Sequence, residues 1–180
     1  EVPHDLVIDK SWIHAAPAQD VQRCVALNSQ GTDITNSWIT ECHGRGYDTQ
    51  AIACWNGPGP FKIVNNYLEG AGENVMFGGS PASIPNLIPT GIDFRHNFVF
   101  KPLSWYASDP SYAGIHWSVK NLFELKNARN VEVDGNIFEN NWTDAQAGRA
   151  IVFTPRPSDS GTWAAIEDVQ FTNNIVRNVG

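Results

Sequence analysis

Apolar and polar positions alternate along this chain in one short phrase that returns six times: apolar-x-apolar-x-x-(Asn or Ser)-x-apolar. It reads Leu6-Ile8-Ser11-Ile13, Thr32-Ile34-Ser37-Ile39, Phe61-Ile63-Asn66-Leu68, Ile92-Phe94-Asn97-Val99, Val131-Val133-Asn136-Phe138 and Val169-Phe171-Asn174-Val176, with Thr32 the one weak apolar residue. The period of two and the richness in Val, Ile and Phe predict short strands, since a helix would space its apolar residues by three and four. The polar anchor advances by 26, 29, 31, 39 and 38 residues, so a constant repeat carries loops of varying length. Such repetition is the mark of a solenoid.

A further apolar pair follows each of the first five phrases: Val25/Leu27, Ile52/Cys54, Val75/Phe77, Phe123/Leu125 and Ile151/Phe153. Side chains alternate across a strand, so with these pairs inward Ala26, Ala53, Met76, Glu124 and Val152 face out, followed by Asn28, Trp55, Gly78, Lys126 and Thr154. Each turn is then strand, tight polar corner, strand, variable loop, strand and connecting loop. A buried corner must pair its backbone donors and acceptors, and the carboxamide of Asn66, Asn97, Asn136 or Asn174 offers both.

These stacked strands with an Asn column resemble the right-handed parallel β-helix, or pectate-lyase-like, superfamily. The resemblance covers nearly the whole chain and implies an all-β solenoid of about six coils with an Asn ladder, from which Ser11 and Ser37 depart. The chain reads as a single domain over residues 1–180. Leu6 opens a coil almost at once and Gly180 follows Val176 with no further strand or cap, so we expect a segment of a longer solenoid whose uncapped coils could associate end to end.

Characterised members of that superfamily mostly act on polysaccharides, with a groove along the outer face of the strand after the long variable loop. The resemblance therefore implies a polysaccharide partner, and an extracellular or periplasmic location. Mapped here, the groove face carries Asn28, Trp55, Glu124, Lys126, Thr154 and Arg156. A uronate lyase needs a base to take the proton beside the carboxylate and a cation to hold the resulting charge, and Lys126, Glu124 and Arg156 are candidates for those roles. The plain alternative for Glu124 and Lys126 is a solvated ion pair. A glycosidase needs two carboxylates on one face, and Glu124 has Met76 and Val152 as its outward neighbours, so a hydrolase is disfavoured.

Two loops stand out. Residues 79–90 carry three prolines, and residues 101–119 carry Trp105, Tyr106, Tyr112, His116 and Trp117. Of five scattered histidines only His116 is a candidate acid or base. Among seven tryptophans, Trp55 with Trp105 is the favoured pair for stacking on sugar rings, the alternative being that such rings pin loops to the coil. A non-catalytic carbohydrate-binding or surface module is the competing function; an ice-binding solenoid would need a regular Thr-rich face that is missing here.

Composition narrows this further. A net charge of −7 argues against nucleic acid, whose phosphates require a basic face. No apolar stretch is long enough to span a membrane. Three cysteines leave at least one thiol unpaired; Cys24 could bridge to Cys42 or to Cys54, and Cys54 falls in the inward register. Calcium needs converging oxygens, and Glu132, Asp134 and Glu139 share one coil. Glu132 and Asp134 belong to a different strand from the groove, so no metal or other cofactor is expected. Asn141-Trp142-Thr143 matches a glycosylation sequon.

Overall fold

A computed structural model describes residues 1–180 as a parallel β-solenoid of about six coils. The first coil contains β1 (His4–Asp9), β2 (Trp12–His14) and β3 (Arg23–Ala26), and the second β4 (Gln30–Thr35), β5 (Trp38–Cys42) and β6 (Gln50–Cys54). The third contains β7 (Phe61–Val64), β8 (Tyr67–Gly70) and β9 (Glu73–Phe77), and the fourth β10 (Thr90–Arg95), β11 (Phe98–Phe100) and β12 (Phe123–Leu125). The fifth has β13 (Ala128–Asp134), β14 (Ile137–Asn141) and β15 (Ile151–Phe153), and the last β16 (Ile166–Thr172) and β17 (Ile175–Val179). Two short helical turns, at Leu103–Trp105 and Pro157–Ser160, lie in the loops.

Corresponding strands of successive coils pair in parallel, giving three sheets: a first of β1, β4, β7, β10, β13 and β16, a second of β2, β5, β8, β11, β14 and β17, and a third of β3, β6, β9, β12 and β15. The observed registers place Ile8, Ile34, Ile63, Phe94, Val133 and Phe171 side by side, as alignment of the six phrases requires. Ile13, Ile39, Leu68, Val99, Phe138 and Val176 form the matching row on the second sheet. Together with Ile52, Cys54, Val75, Phe77, Phe123 and Leu125 from the third sheet, most of these fill one continuous core. Thr32 is tolerated in the inward row because its hydroxyl lies 2.6 Å from that of Ser29.

The corner between the first and second sheets is held by a hydrogen-bonded column. Asn66 Nδ2 donates to Asn97 Oδ1, Asn97 Nδ2 to Asn136 Oδ1 and Asn136 Nδ2 to Asn174 Oδ1, at 2.9 to 3.1 Å. Each of these three amides also donates to a strand carbonyl, of Ile34, Ile63 or Phe94. The column continues through both serines: Ser37 N–H donates to Asn66 Oδ1 and Ser11 N–H to Ser37 Oγ. The preceding residue takes a left-handed φ in every coil, at Lys10, Asn36, Asn65, His96, Gly135 and Asn173. Asn and Gly tolerate that conformation best, and they hold four of the six positions.

The loops lie against the coil. Residues 79–90 are tied down by Asn127 Nδ2 and Trp163 Nε1, which both donate to the Leu87 carbonyl, and by Ser83 N–H, which donates to Asn56 Oδ1. Residues 101–119 bring Trp105, Trp117 and Val119 onto Ala71 and Trp142 as a second, smaller apolar cluster. His43 is buried within it, stacked 3.8 Å from the Trp117 ring and edge-on to Trp105. A disulfide joins Cys24 to Cys42, and Cys54 remains a buried thiol that burial pushes up to about 12. Asn141 of the sequon is buried and donates to the Gly148 carbonyl, so its amide is not presented for glycosylation. No helix is long and apolar enough to cross a membrane.

Candidate functional site

The outward column of the third sheet is Ala26, Ala53, Met76, Glu124 and Val152, in the expected register. It is not an open face. Ala53, Met76 and Glu124 are all buried, and the segment after β9 folds back over part of the column: Gly79 sits against the end of Met76 and the Lys126 stem, and its N–H donates to Ser160 Oγ. A cavity of about 320 Å³ opens at the C-terminal side, lined by Glu124, Gln146, Arg149, Thr154 and Arg156 among others.

Three residues picked from the sequence, Glu124, Thr154 and Arg156, therefore line one cavity, and Lys126 stands beside them. Its Nζ lies 3.8 Å from Glu124 Oε1, with the two side chains only 12% and 3% exposed. The pair is thus withdrawn from solvent, unlike the solvated pair of a bare strand face. Glu124 Oε2 accepts from Asn121 Nδ2, which also lies 3.3 Å from Gln146 Oε1. Burial raises the Glu124 pKa above its ordinary value and the nearby Glu73 carboxylate adds to this, while Asn121, Lys126 and Lys120 work the other way.

Close to Glu124 lies a cluster of polar side chains centred on the buried Glu73. Glu73 accepts from Gln50 Nε2 at 2.6 Å and from Lys120 Nζ at 3.1 Å, and Lys120 also reaches Asp48 at 2.7 Å. Burial works to lower the Lys120 pKa, but the Glu73 and Asp48 carboxylates outweigh it and hold the group above its usual value. The Glu73 carboxylate is near enough to Glu124 to help raise its pKa. Glu73 stands before the apolar pair of β9, outside the outward column, so the repeat phase does not mark it.

The rim is cationic in an acidic protein. Arg45, Arg95, Arg129 and Arg177 each pair with a carboxylate. Arg149 and Arg156 pair with none and are exposed at the cavity. Arg149 lies on the loop between β14 and β15, which the repeat phase does not position.

The other candidates lie elsewhere. His116 is exposed, with Nε2 2.7 Å from Asp144 Oδ1, and is not among the residues lining the cavity. Asn28 Oδ1 accepts the N–H groups of Trp55 and Asn56, which makes it a turn cap. Trp55 is half-buried with the Arg23 guanidinium 4.8 Å from its ring centre. Trp105 is 4% exposed within the second apolar cluster, so the structure does not pair it with Trp55. Glu132 and Asp134 lie on β13 and Glu139 on β14, and no three His, Cys, Asp or Glu side chains converge as a metal-binding group.

No family model, curated protein or solved structure matches this chain.

Proposed function

We propose that the protein is a polysaccharide lyase of pectate-lyase-like type, acting on a uronate-containing polymer at the cavity beside Glu124. The observation that carries this reading is the convergence of two unpaired guanidinium groups, Arg149 and Arg156, on a buried carboxyl whose pKa is raised. In a chain of net charge −7 such a local concentration of free cation suits an anionic ligand, and arginine grips a carboxylate with two parallel hydrogen bonds.

Elimination then follows from the residues at hand. The arginines hold the uronate carboxylate and stabilise the charge that builds on it as the neighbouring C–H bond breaks. The proton passes to the Glu124 carboxylate, the freed electron pair forms the new carbon–carbon double bond, and the glycosidic C–O bond opens with its oxygen taking a proton from water. A carboxylate with a raised pKa is a better base for that transfer than an ordinary one, and the Lys126 side chain beside it opposes part of the rise that burial causes. The Cys24–Cys42 disulfide supports an extracellular or periplasmic setting, where such bonds persist.

The test is to incubate the protein with pectate, alginate and xylan, following unsaturated product by ultraviolet absorbance. Glu124→Gln should remove turnover of the acidic polymer while leaving binding, and Arg156→Ala or Arg149→Ala should weaken both. Full turnover in Glu124→Gln, or binding of acidic polymers with no turnover by the unaltered protein, defeats the lyase reading.

A further inference from the structure

The outer face of the second sheet carries a row of rings. In every coil the residue just after the ladder Asn or Ser is large and apolar: Trp12, Trp38, Tyr67, Phe98, Ile137 and Ile175. Strand pairing brings these into one register, and neighbouring strands lie about 4.8 Å apart. Trp12 is 66% exposed and Trp38 60%, although large apolar surfaces are normally withdrawn from water unless they bind something.

The rings are held in place. Trp12 Nε1 donates to Thr40 Oγ1 on the next strand, and the Trp12 ring stacks 4.1 Å from that of His14. Trp38 and Tyr67 have ring centres 5.4 Å apart, as have Tyr67 and Phe98. Tyr67 OH donates to Glu69 Oε1 at 2.9 Å.

Shallow depressions flank the row on both sides. One, of about 470 Å³, adds His14, Thr40, Glu41 and Glu69 to the rings; the other, of about 290 Å³, adds Asn36, Asn65 and His96 from the ladder corner. The platform is therefore apolar along its middle and rich in hydrogen-bonding groups along both edges. Neither depression contains Lys or Arg, and Glu41 and Glu69 supply carboxyl groups, that of Glu69 with its pKa raised by burial.

We propose that this face binds a neutral, ribbon-shaped β-linked glycan lying along the solenoid axis across Trp12, Trp38 and Tyr67. Such a chain presents C–H faces to the rings and hydroxyl edges to the carboxylates, amides and imidazoles on either side, which is the division of chemistry found on this face. A pyranose unit in an extended chain is comparable in length with the strand spacing, so successive units meet successive rings. With no Lys or Arg to grip a carboxylate, the face does not suit a polyuronate, the opposite of the cavity on the third sheet. The proposal stands on different residues and does not depend on the lyase reading.

The experiment is isothermal titration of the protein with cellohexaose, mannohexaose, xylohexaose and hexagalacturonate, with sedimentation velocity run in parallel. At least one of the three neutral hexaoses should bind and hexagalacturonate should not compete with it. Trp38→Ala should weaken that binding about tenfold, Trp38→Phe by less, and the Trp12→Ala/Trp38→Ala double variant should abolish it. All three substitutions should keep the parent melting temperature within a few degrees, since the rings are exposed. Failure of all three neutral hexaoses to bind, unchanged affinity in the double variant, or self-association through the row that the double variant abolishes would each overturn the proposal. Lyase activity at Glu124 is read separately and should be unaltered in Trp38→Ala.

Discussion

Asn97 Nδ2 donates to Asn136 Oδ1 at 3.1 Å, and the Asn97 backbone N–H donates to that same oxygen at 2.8 Å. One carboxamide oxygen thus serves two donors of the coil before it, while Asn97 itself does the same for Asn66. Replacing Asn97 with Ala removes the acceptor for Asn66 and the donor for the Ile63 carbonyl in a buried corner. Each orphaned group costs about 1–3 kcal/mol, so Asn97→Ala should lose about 3 kcal/mol in urea denaturation. Asn97→Ser should lose less, since Ser37 fills the same column with a hydroxyl.

Lys101 is fully buried yet has no carboxylate partner. Its Nζ shares three N–H donors among four oxygens, the carbonyls of Ala71 and Gly72 at 2.8 and 3.0 Å, that of Gly70, and Asn74 Oδ1 at 2.8 Å, pinning the bend between β8 and β9. Burial pushes its pKa well down, while the Glu73 carboxylate acts the other way. Ala71 and Gly72 each accept a second, backbone donor, from Lys120 and Asn121, so they survive its loss better than Gly70 and Asn74 do. Lys101→Met should cost about 3 kcal/mol, measured by chemical denaturation, despite its closely similar length.

Glu124 should make folding less favourable as pH rises. Its folded pKa is raised above the ordinary value of 4.5, so the native state keeps a proton that the unfolded chain has released. Stability contributed by that protonated form is present below the unfolded value and is lost as pH climbs through the folded one. The denaturation midpoint of wild type relative to Glu124→Gln should therefore fall as pH increases upward from 4.5. A difference that grows with pH instead would show that the pair with Lys126 dominates over burial.

The Cys24–Cys42 bridge closes a separation of 18 residues between β3 and β5. Converting both cysteines to serine should remove about 3 kcal/mol of stability. A thiol titration of the unreduced, denatured protein should find Cys54 alone; three reactive thiols would contradict the pairing.

Trp105 and Trp38 should respond oppositely to truncation. Trp105 is packed against His43 within the second apolar cluster, so Trp105→Ala should cost about 3–5 kcal/mol and loosen residues 101–119. Trp38→Ala should change stability by less than about 1 kcal/mol. Thermal melts of the two variants make the comparison.

By itself the sequence determined the repeating unit. A period of two is local, because successive side chains leave a strand on opposite faces whatever surrounds them, and so the inward rows Ile8 to Phe171 and Ile13 to Val176 and the Asn column were legible residue by residue. The row of rings is legible too, as the residue after each ladder position. What lies over a face is not local. The loop after β9 packs onto Met76 and Lys126, Arg149 arrives from a segment with no repeat phase, Trp105 is drawn into a separate cluster, and Lys101 is caged by a bend in the neighbouring coil. Those outcomes depend on which loop packs against which coil, and only the tertiary structure decided them.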